Sequence, residues 1–192
     1  MIEIVPCGGN TGSLTRCLER LGAAYRISER PESGVPLIIP GVGSFGGVMA
    51  ELRSRDLVEW LRGEAAAGTP VLGICVGMQI LFDRSEEAGA TPGLGLIPGR
   101  VVRFARGKVP QVGWNRVEPA RGRGGGGYAY FVNSYHAVPE SDEDCTYTAD
   151  YYGAFCAAAA RRSATGYQFH PEKSGEFGLE LLKEWLLCCA NE

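Results

Sequence analysis

The chain has 192 residues, 45% of them apolar, with 19 basic and 22 acidic residues and a pI near 5.5; this suits one large core in a single domain and leaves no basic excess for nucleic acid. Its apolar runs, such as residues 37–39 and 71–74, are too short to span a bilayer, and the opening Met-Ile-Glu-Ile-Val has no basic segment ahead of a signal core. Seven cysteines without a CxxC spacing fit a reducing compartment, so a cytoplasmic protein with neither a disulfide framework nor a metal centre is expected.

Strand-length apolar bursts alternate with segments of helical period, the signature of an α/β layer architecture. Residues 2–5 read as the first strand, 7–12 as its loop, and 13–21 as a helix with Leu14, Leu18 and Leu21 on one face. Residues 35–39 form a second buried strand, then a glycine-rich turn and a helix over about 47–67 with Gly68 as its C-cap. Residues 71–74 are a third strand, 76–83 a short helix, and 84–93 a polar loop. From 94 to 117 the pattern turns β-rich, and 122–127 reads as a mobile surface loop. Residues 128–132, 146–152 and 166–169 follow as further extended segments. Residues 177–188 close the chain as a helix with Leu181, Leu182, Trp185 and Leu186 at helical spacing.

The sharpest local pattern is Gly73-Ile-Cys75-Val-Gly77, between a buried strand and a helix. Small residues two before and two after leave room for a tight turn that presents the side chain at 75, a nucleophile elbow with cysteine in place of serine. A helix N-terminus beside the sulfur favours a thiolate, and the N–H of Val76 stands where an oxyanion needs a donor. The same residue also reads as a buried structural cysteine, and the local pattern alone does not separate the two.

A thiol nucleophile needs a base, and the chain has two histidines, His136 and His170. His170 ends an apolar run and is followed by Pro171 and Glu172. Residues i and i+2 of an extended segment project to one side, so Glu172 is placed to orient the imidazole and stabilise its cation. His136 has no carboxylate at that spacing. The segment Gly41-Val-Gly43-Ser-Phe-Gly46 satisfies G-x-G-x-x-G, yet it follows the second strand, and the acidic residues about twenty positions on, Glu59 and Glu64, lie within a helix. It reads better as a flexible loop whose N–H groups complete an oxyanion hole.

These motifs resemble class I glutamine amidotransferases, and within them the glutaminase subunits of imidazole glycerol phosphate synthase. The resemblance runs through Pro40-Gly-Val-Gly-Ser-Phe-Gly46, Gly73-Ile-Cys-Val-Gly-Met-Gln79, Ser85-Glu-Glu87, Lys108-Val-Pro110, Gly113-Trp-Asn115, Tyr130-Phe-Val-Asn-Ser-Tyr135 and Gln168-Phe-His-Pro-Glu-Lys-Ser174. It implies a central, mostly parallel sheet flanked by helices in flavodoxin-like layers, a Cys75-His170-Glu172 triad, and an oxyanion hole from Val76 plus a peptide of the Val42-Gly43 turn. It further implies glutamine held through Gln79, Glu87 and the backbone around Ser134 and Tyr135, with no cofactor. The implied reaction is hydrolysis of glutamine to glutamate. The ammonia would pass to a (β/α)₈-barrel synthase subunit in a heterodimer, which forms imidazole glycerol phosphate and an aminoimidazole carboxamide ribotide in histidine biosynthesis. Asn10, Trp114 and Lys173 are the implied coupling residues.

Three positions depart from the family pattern. The first loop reads Pro6-Cys7-Gly-Gly-Asn10 in place of the usual Asp-Tyr-Gly, and Gln111 and Asn133 stand where histidines are usual. Two other functions remain compatible with these residues: the same chemistry serving a different synthase, and an interaction subunit that has kept the fold.

Overall fold

The computed structural model describes residues 1–8, 11–122 and 124–190. The first half winds as β1 (Ile2–Ile4), α1 (Gly12–Arg20), β2 (Tyr25–Ile27), β3 (Leu37–Gly41), α2 (Phe45–Ser54), α3 (Leu57–Ala67), β4 (Val71–Cys75) and α4 (Val76–Gln79). The second half is mostly extended: β5 (Phe82–Ser85), β6 (Thr91–Pro92), β7 (Ile97–Arg103), β8 (Gln111–Pro119), β9 (Gly127–Asn133), β10 (Tyr135–Pro139), β11 (Cys145–Asp150), β12 (Ala154–Arg161) and β13 (Ala164–Tyr167). Helix α5 (Gly175–Cys189) follows.

These strands join in one sheet, ordered β2-β1-β3-β4-β13-β12-β10-β7-β5-β6, with β11, β8 and β9 branching from β12. The expected central sheet is present, and its parallel part is the run β2-β1-β3-β4-β13. Beyond it the pairs are antiparallel except β5 with β7, so the sheet is mixed. The steps from β1 to β2 and from β3 to β4 use helical crossovers, whereas short connections bring β9 back beside β8, β12 beside β11 and β13 beside β12 as antiparallel neighbours. The apolar faces of α1, α2, α3 and α5 contribute Leu14, Leu18, Phe45, Met49, Leu61, Leu182 and Trp185 to the same core as the buried strands.

The helix expected over 47–67 is two helices. Asp56 adopts φ 57°, a left-handed conformation that ends α2 and starts α3, while Gly68 caps α3 at φ 100° as its position suggested. The short helix after Cys75 ends at Gln79, and residues 82–85 turn into a strand beside β7. The polar segment that follows holds β6, paired to Arg84 and Ser85. Strand β12 also lies outside the expected elements. Ala157, Ala158 and Ala159 in it are fully buried, but alanine gives no strand signal of its own and only tertiary packing reveals it. Gly127 of the glycine run is already part of β9, and Arg123 lies outside the described residues.

Candidate active site

Strand β4 is buried along its whole length and ends in Cys75, which is 5% exposed. Cys75 adopts φ 57° and ψ −112°, and helix α4 begins at the next residue. Such a conformation costs a non-glycine residue about 1–3 kcal/mol and persists only where its surroundings enforce it. Here the enforcement is close backbone packing. A Cβ at Gly77 would run into the carbonyl oxygen of Ile39 on β3, and one at Gly73 into the Gly77 backbone. The turn therefore tolerates no side chain at either position, which accounts for the Gly-x-Cys-x-Gly spacing.

Strand β13 runs parallel to β4, with Tyr167 beside Ile74, so the chain leaving β13 passes the thiol. His170 is held there by its backbone N–H, which donates to Tyr130 O at 2.9 Å in β9. Pro171–Lys173 then forms a single 3-10 turn that carries Glu172 back to the imidazole. The ring's Nδ1 pairs with Glu172 Oε1 at 2.9 Å, and both side chains are about 9% exposed. This leaves Nε2 available to Cys75, whose side chain is among the groups that favour the charged ring. Burial opposes the imidazolium more than any other single effect. The hydrogen bonds and charges of Cys75 and Glu172 together outweigh it and push His170 up to about 9.

A cavity of about 230 Å³ opens over the sulfur, lined by Gly43, Cys75, Val76, Gln79, Glu87, Asn133, Ser134 and Tyr135 among others. Clefts of about 400 and 380 Å³ lie elsewhere, none of them lined by Cys75 or His170. The smaller cavity is the functional candidate because the elbow cysteine opens into it beside Gln79 and Glu87.

The residues named by resemblance sit around it in different states. Val76, as the first residue of α4, presents an N–H without an intrahelical acceptor. Val42 is 53% exposed, and Gly43 takes φ 113°, open only to glycine at low cost. Gln79 is buried and donates through Nε2 to Tyr135 O and to Gln168 Oε1, both at 3.0 Å. Glu87 accepts from the N–H of Phe45 at 2.6 Å. Together with Ser44, whose Oγ accepts from Gly47 N–H at 3.1 Å, it caps α2. A carboxylate thus occupies the helix N-terminus where a dinucleotide's pyrophosphate would have to sit, which disposes of the G-x-G-x-x-G reading. Ser134 and Tyr135 offer backbone at the cavity wall, though Tyr135 O already accepts from Gln79 and, at 3.0 Å, from Asn133 Nδ2.

Trp114 is 58% exposed on β8, its ring 6.1 Å from that of Tyr130, and Lys173 is exposed directly after Glu172. Asn10 lies outside the described residues. His136 lines a different cleft: its ring stacks on Phe104 at 4.7 Å and burial holds its pKa low. Two residues escaped sequence reading. Gln168, fully buried, links Gln79 to Cys75 Sγ, 3.9 Å from its Nε2. Ser174 donates to His170 O at 2.6 Å. Both stand inside the Gln168-to-Ser174 motif, so proximity to the histidine was the available signal. Gln111 and Asn133 face each other across β8 and β9, and each buries a side-chain oxygen without a partner.

The sequence matches the family model "Glutamine amidotransferase class-I" over residues 5–188. It is 43% identical to the imidazole glycerol phosphate synthase subunit HisH of Moorella thermoacetica, over 96% of this chain and 93% of that protein. It is likewise 43% identical to the HisH subunit of Geobacillus thermodenitrificans, over 97% and 95%. Among solved structures, a glutamine amidotransferase superposes with TM-score 0.81 at 19% identity over 98% of both chains. The structure of PurLQS from Thermotoga maritima gives 0.74 at 19% over 96% of both. With an elbow cysteine, a paired histidine and carboxylate, and relatives of this identity along nearly the whole chain, the protein belongs to the class I glutamine amidotransferases, in the family of HisH subunits.

Proposed function

We propose that this chain is the glutaminase subunit of an imidazole glycerol phosphate synthase, working in the cytoplasm as a single domain. In this reading Cys75 is the nucleophile, His170 its base and Glu172 the group that orients and charges the imidazole. The observation that carries the reading is the strained Cys75 elbow facing a buried imidazole that is itself paired to Glu172.

Glutamine enters with its carboxamide over Cys75 and its polar head toward Glu87 and the backbone of Ser134 and Tyr135. The thiolate attacks the carboxamide carbon, and the oxyanion takes hydrogen bonds from Val76 N–H and from the Val42-Gly43 peptide. His170, protonated, gives its proton to the departing ammonia and then, neutral, activates the water that hydrolyses the thioester. Gln79 and Gln168 act behind the thiol, holding the Tyr135 carbonyl and the sulfur in place.

The ammonia passes to a (β/α)₈-barrel synthase subunit. The exposed face of β8 and β9 suits such a partner: Val112 (60% exposed), Trp114, Tyr128 (57%) and Val132 form an apolar strip. This strip adjoins the catalytic groups through the Tyr130–His170 bridge and the Val132 carbonyl, 3.9 Å from Cys75 Sγ. Apolar strips of this kind mark association surfaces.

Cys75→Ala tests the assignment. The variant should lose ammonia release from glutamine while the assembled synthase still uses ammonia supplied in solution. Glutamine turnover by the variant would remove Cys75 as the nucleophile, and a chain that supports only a different synthase would replace the pathway but not the chemistry.

A further inference from the structure

Glu51 on helix α2 and Arg55, the residue that caps its C-terminus, lie one turn apart and reach across to the loop after β1. Arg55 Nη2 donates to Pro6 O at 2.6 Å, to Glu51 Oε1 at 3.0 Å and to Cys7 Sγ at 3.4 Å. The second carboxylate oxygen, Glu51 Oε2, accepts from Gly8 N–H at 3.1 Å. The loop held this way lies against the oxyanion segment. Cys7 bridges Gly41 in parallel, and Gly8, at φ 65°, has the carbonyl oxygen of Val42 where a Cβ would stand.

This contact orients a peptide. In a planar trans peptide the C=O and the following N–H point in opposite directions. β3 lies between β1 and β4. A Val42 carbonyl directed at Gly8, on the β1 side, turns the N–H of Gly43 toward the β4 side, where Gly43 lines the Cys75 cavity.

We infer that Glu51 and Arg55 form a clamp that positions the oxyanion loop for glutamine hydrolysis, by fixing the Pro6–Gly8 backbone against the Val42 carbonyl. They touch neither substrate nor thiol and are positioning residues. The inference rests on the glutaminase reading of the Cys75 site. Losing one oxyanion donor outright costs roughly 10²–10³ in kcat, so loosening the peptide that carries it should cost at least about tenfold.

The test separates the oxyanion hole from the nucleophile. Iodoacetamide alkylates Cys75 by displacement at a saturated carbon, which forms no oxyanion, whereas glutamine hydrolysis must form one. Glu51 is partly exposed on a helix surface, so Glu51→Ala should fold. With the synthase subunit present, Glu51→Ala is expected to lower kcat tenfold or more, with KM for glutamine and the Cys75 alkylation rate each within about threefold of wild type. Glu51→Gln, which keeps an acceptor for Gly8 N–H, should recover most of the loss. Arg55→Met, which keeps the aliphatic stem but removes the donor to Pro6, Cys7 and Glu51, should not keep wild-type kcat. Wild-type kcat in both Glu51→Ala and Arg55→Met overturns the clamp. So does a fall in alkylation that matches the fall in kcat, which would place the effect on the thiol or on the whole fold. A wild-type chain that neither hydrolyses glutamine nor alkylates at Cys75 overturns the glutaminase reading instead.

Discussion

Ser174 and His170 are tied by a hydrogen bond that runs backwards along the chain: Ser174 Oγ donates to the His170 carbonyl at 2.6 Å while accepting from Tyr130 N–H at 3.0 Å. One hydroxyl thereby fastens the catalytic segment to β9 from two sides, at a position that is 2% exposed. The imidazole's place over Cys75 depends on that fastening, because the chain after His170 leaves the sheet in a single 3-10 turn.

Ser174→Ala removes both contacts and leaves the Tyr130 amide without its acceptor. We expect a stability loss of about 1–3 kcal/mol, the range for stranding a buried polar group, and a fall in kcat of about tenfold with little change in KM. Ser174→Thr, which keeps the hydroxyl, should retain more of the rate. Steady-state glutaminase kinetics alongside denaturant unfolding measure both, and an unchanged kcat would mean His170 is held by Tyr130 alone.

The two histidines should separate cleanly in function. His136→Asn removes a ring stacked on Phe104 and edge-on to Phe155 at 5.7 Å, so its effect is on packing, about 1 kcal/mol or a few degrees in Tm, with kcat within about twofold. His170→Asn removes the proposed general acid and base and should cost about 10²–10⁴ in kcat. If His136→Asn proved the more damaging to turnover under saturating glutamine, the base would be misassigned.

What was legible before the fold was known is local. The Cys75 elbow announces itself in five residues because close packing forbids a side chain at Gly73 and Gly77, and the His170-Pro-Glu172 pair lies within one turn of chain. What stayed hidden depends on segments distant in sequence meeting in space. Gln168 touches Gln79 across 89 residues, and Glu51 reaches Gly8 across 43. Neither spacing leaves a periodic or compositional trace. The same reason hid β12 and the split between α2 and α3: alanine-rich strands and a left-handed aspartate are imposed by tertiary context against local propensity.

The same two histidines give a pH test with opposite signs. His170 is held up at about 9, whereas burial holds His136 below its ordinary 6.5. A raised folded-state value contributes stability that is fully present below pH 6.5 and is lost as pH rises through 9. At about 1.4 kcal/mol per pK unit the His170 contribution is roughly 3 kcal/mol. A lowered value, as at His136, contributes stability present above pH 6.5 and lost as pH falls through the folded value. With two histidines in the chain, an NMR titration of the imidazole Cε1–H signals, assigned with His136→Asn, reads both directly. In Cys75→Ala the His170 midpoint should drop, since a hydrogen bond that supports its charge is gone. Two midpoints near 6.5 in the wild-type chain would dissolve the proposed thiolate–imidazolium pairing.

The last expectation concerns the partner. Val76 N–H sits on a helix packed closely against β3 and β4, whereas the Val42-Gly43 peptide lies in an exposed turn with Gly43 at φ 113°. In the proposed oxyanion hole one half is set by that helix and the other by a loop peptide held through the Val42 carbonyl against Gly8. Glycines at 41 and 43 keep the steric barrier to rotating that peptide low once the contact is released, so a second orientation is accessible to the free subunit. The exposed Trp114 and Lys173 lie beside the catalytic segment, Trp114 packed on Tyr130 and Lys173 donating its N–H to His170 O at 3.0 Å. A synthase seated on the β8-β9 face would touch both and bias that equilibrium. We therefore expect slow glutamine hydrolysis by the isolated chain, and hydrolysis faster by orders of magnitude in the complex loaded with its phosphorylated ligand, through kcat rather than KM. Trp114→Ala and Lys173→Ala should reduce that stimulation while leaving the slow basal rate of the free chain intact. Glutamate release measured with and without the partner decides the matter, because full turnover by the isolated subunit would show a hole already complete and leave the partner nothing to gate.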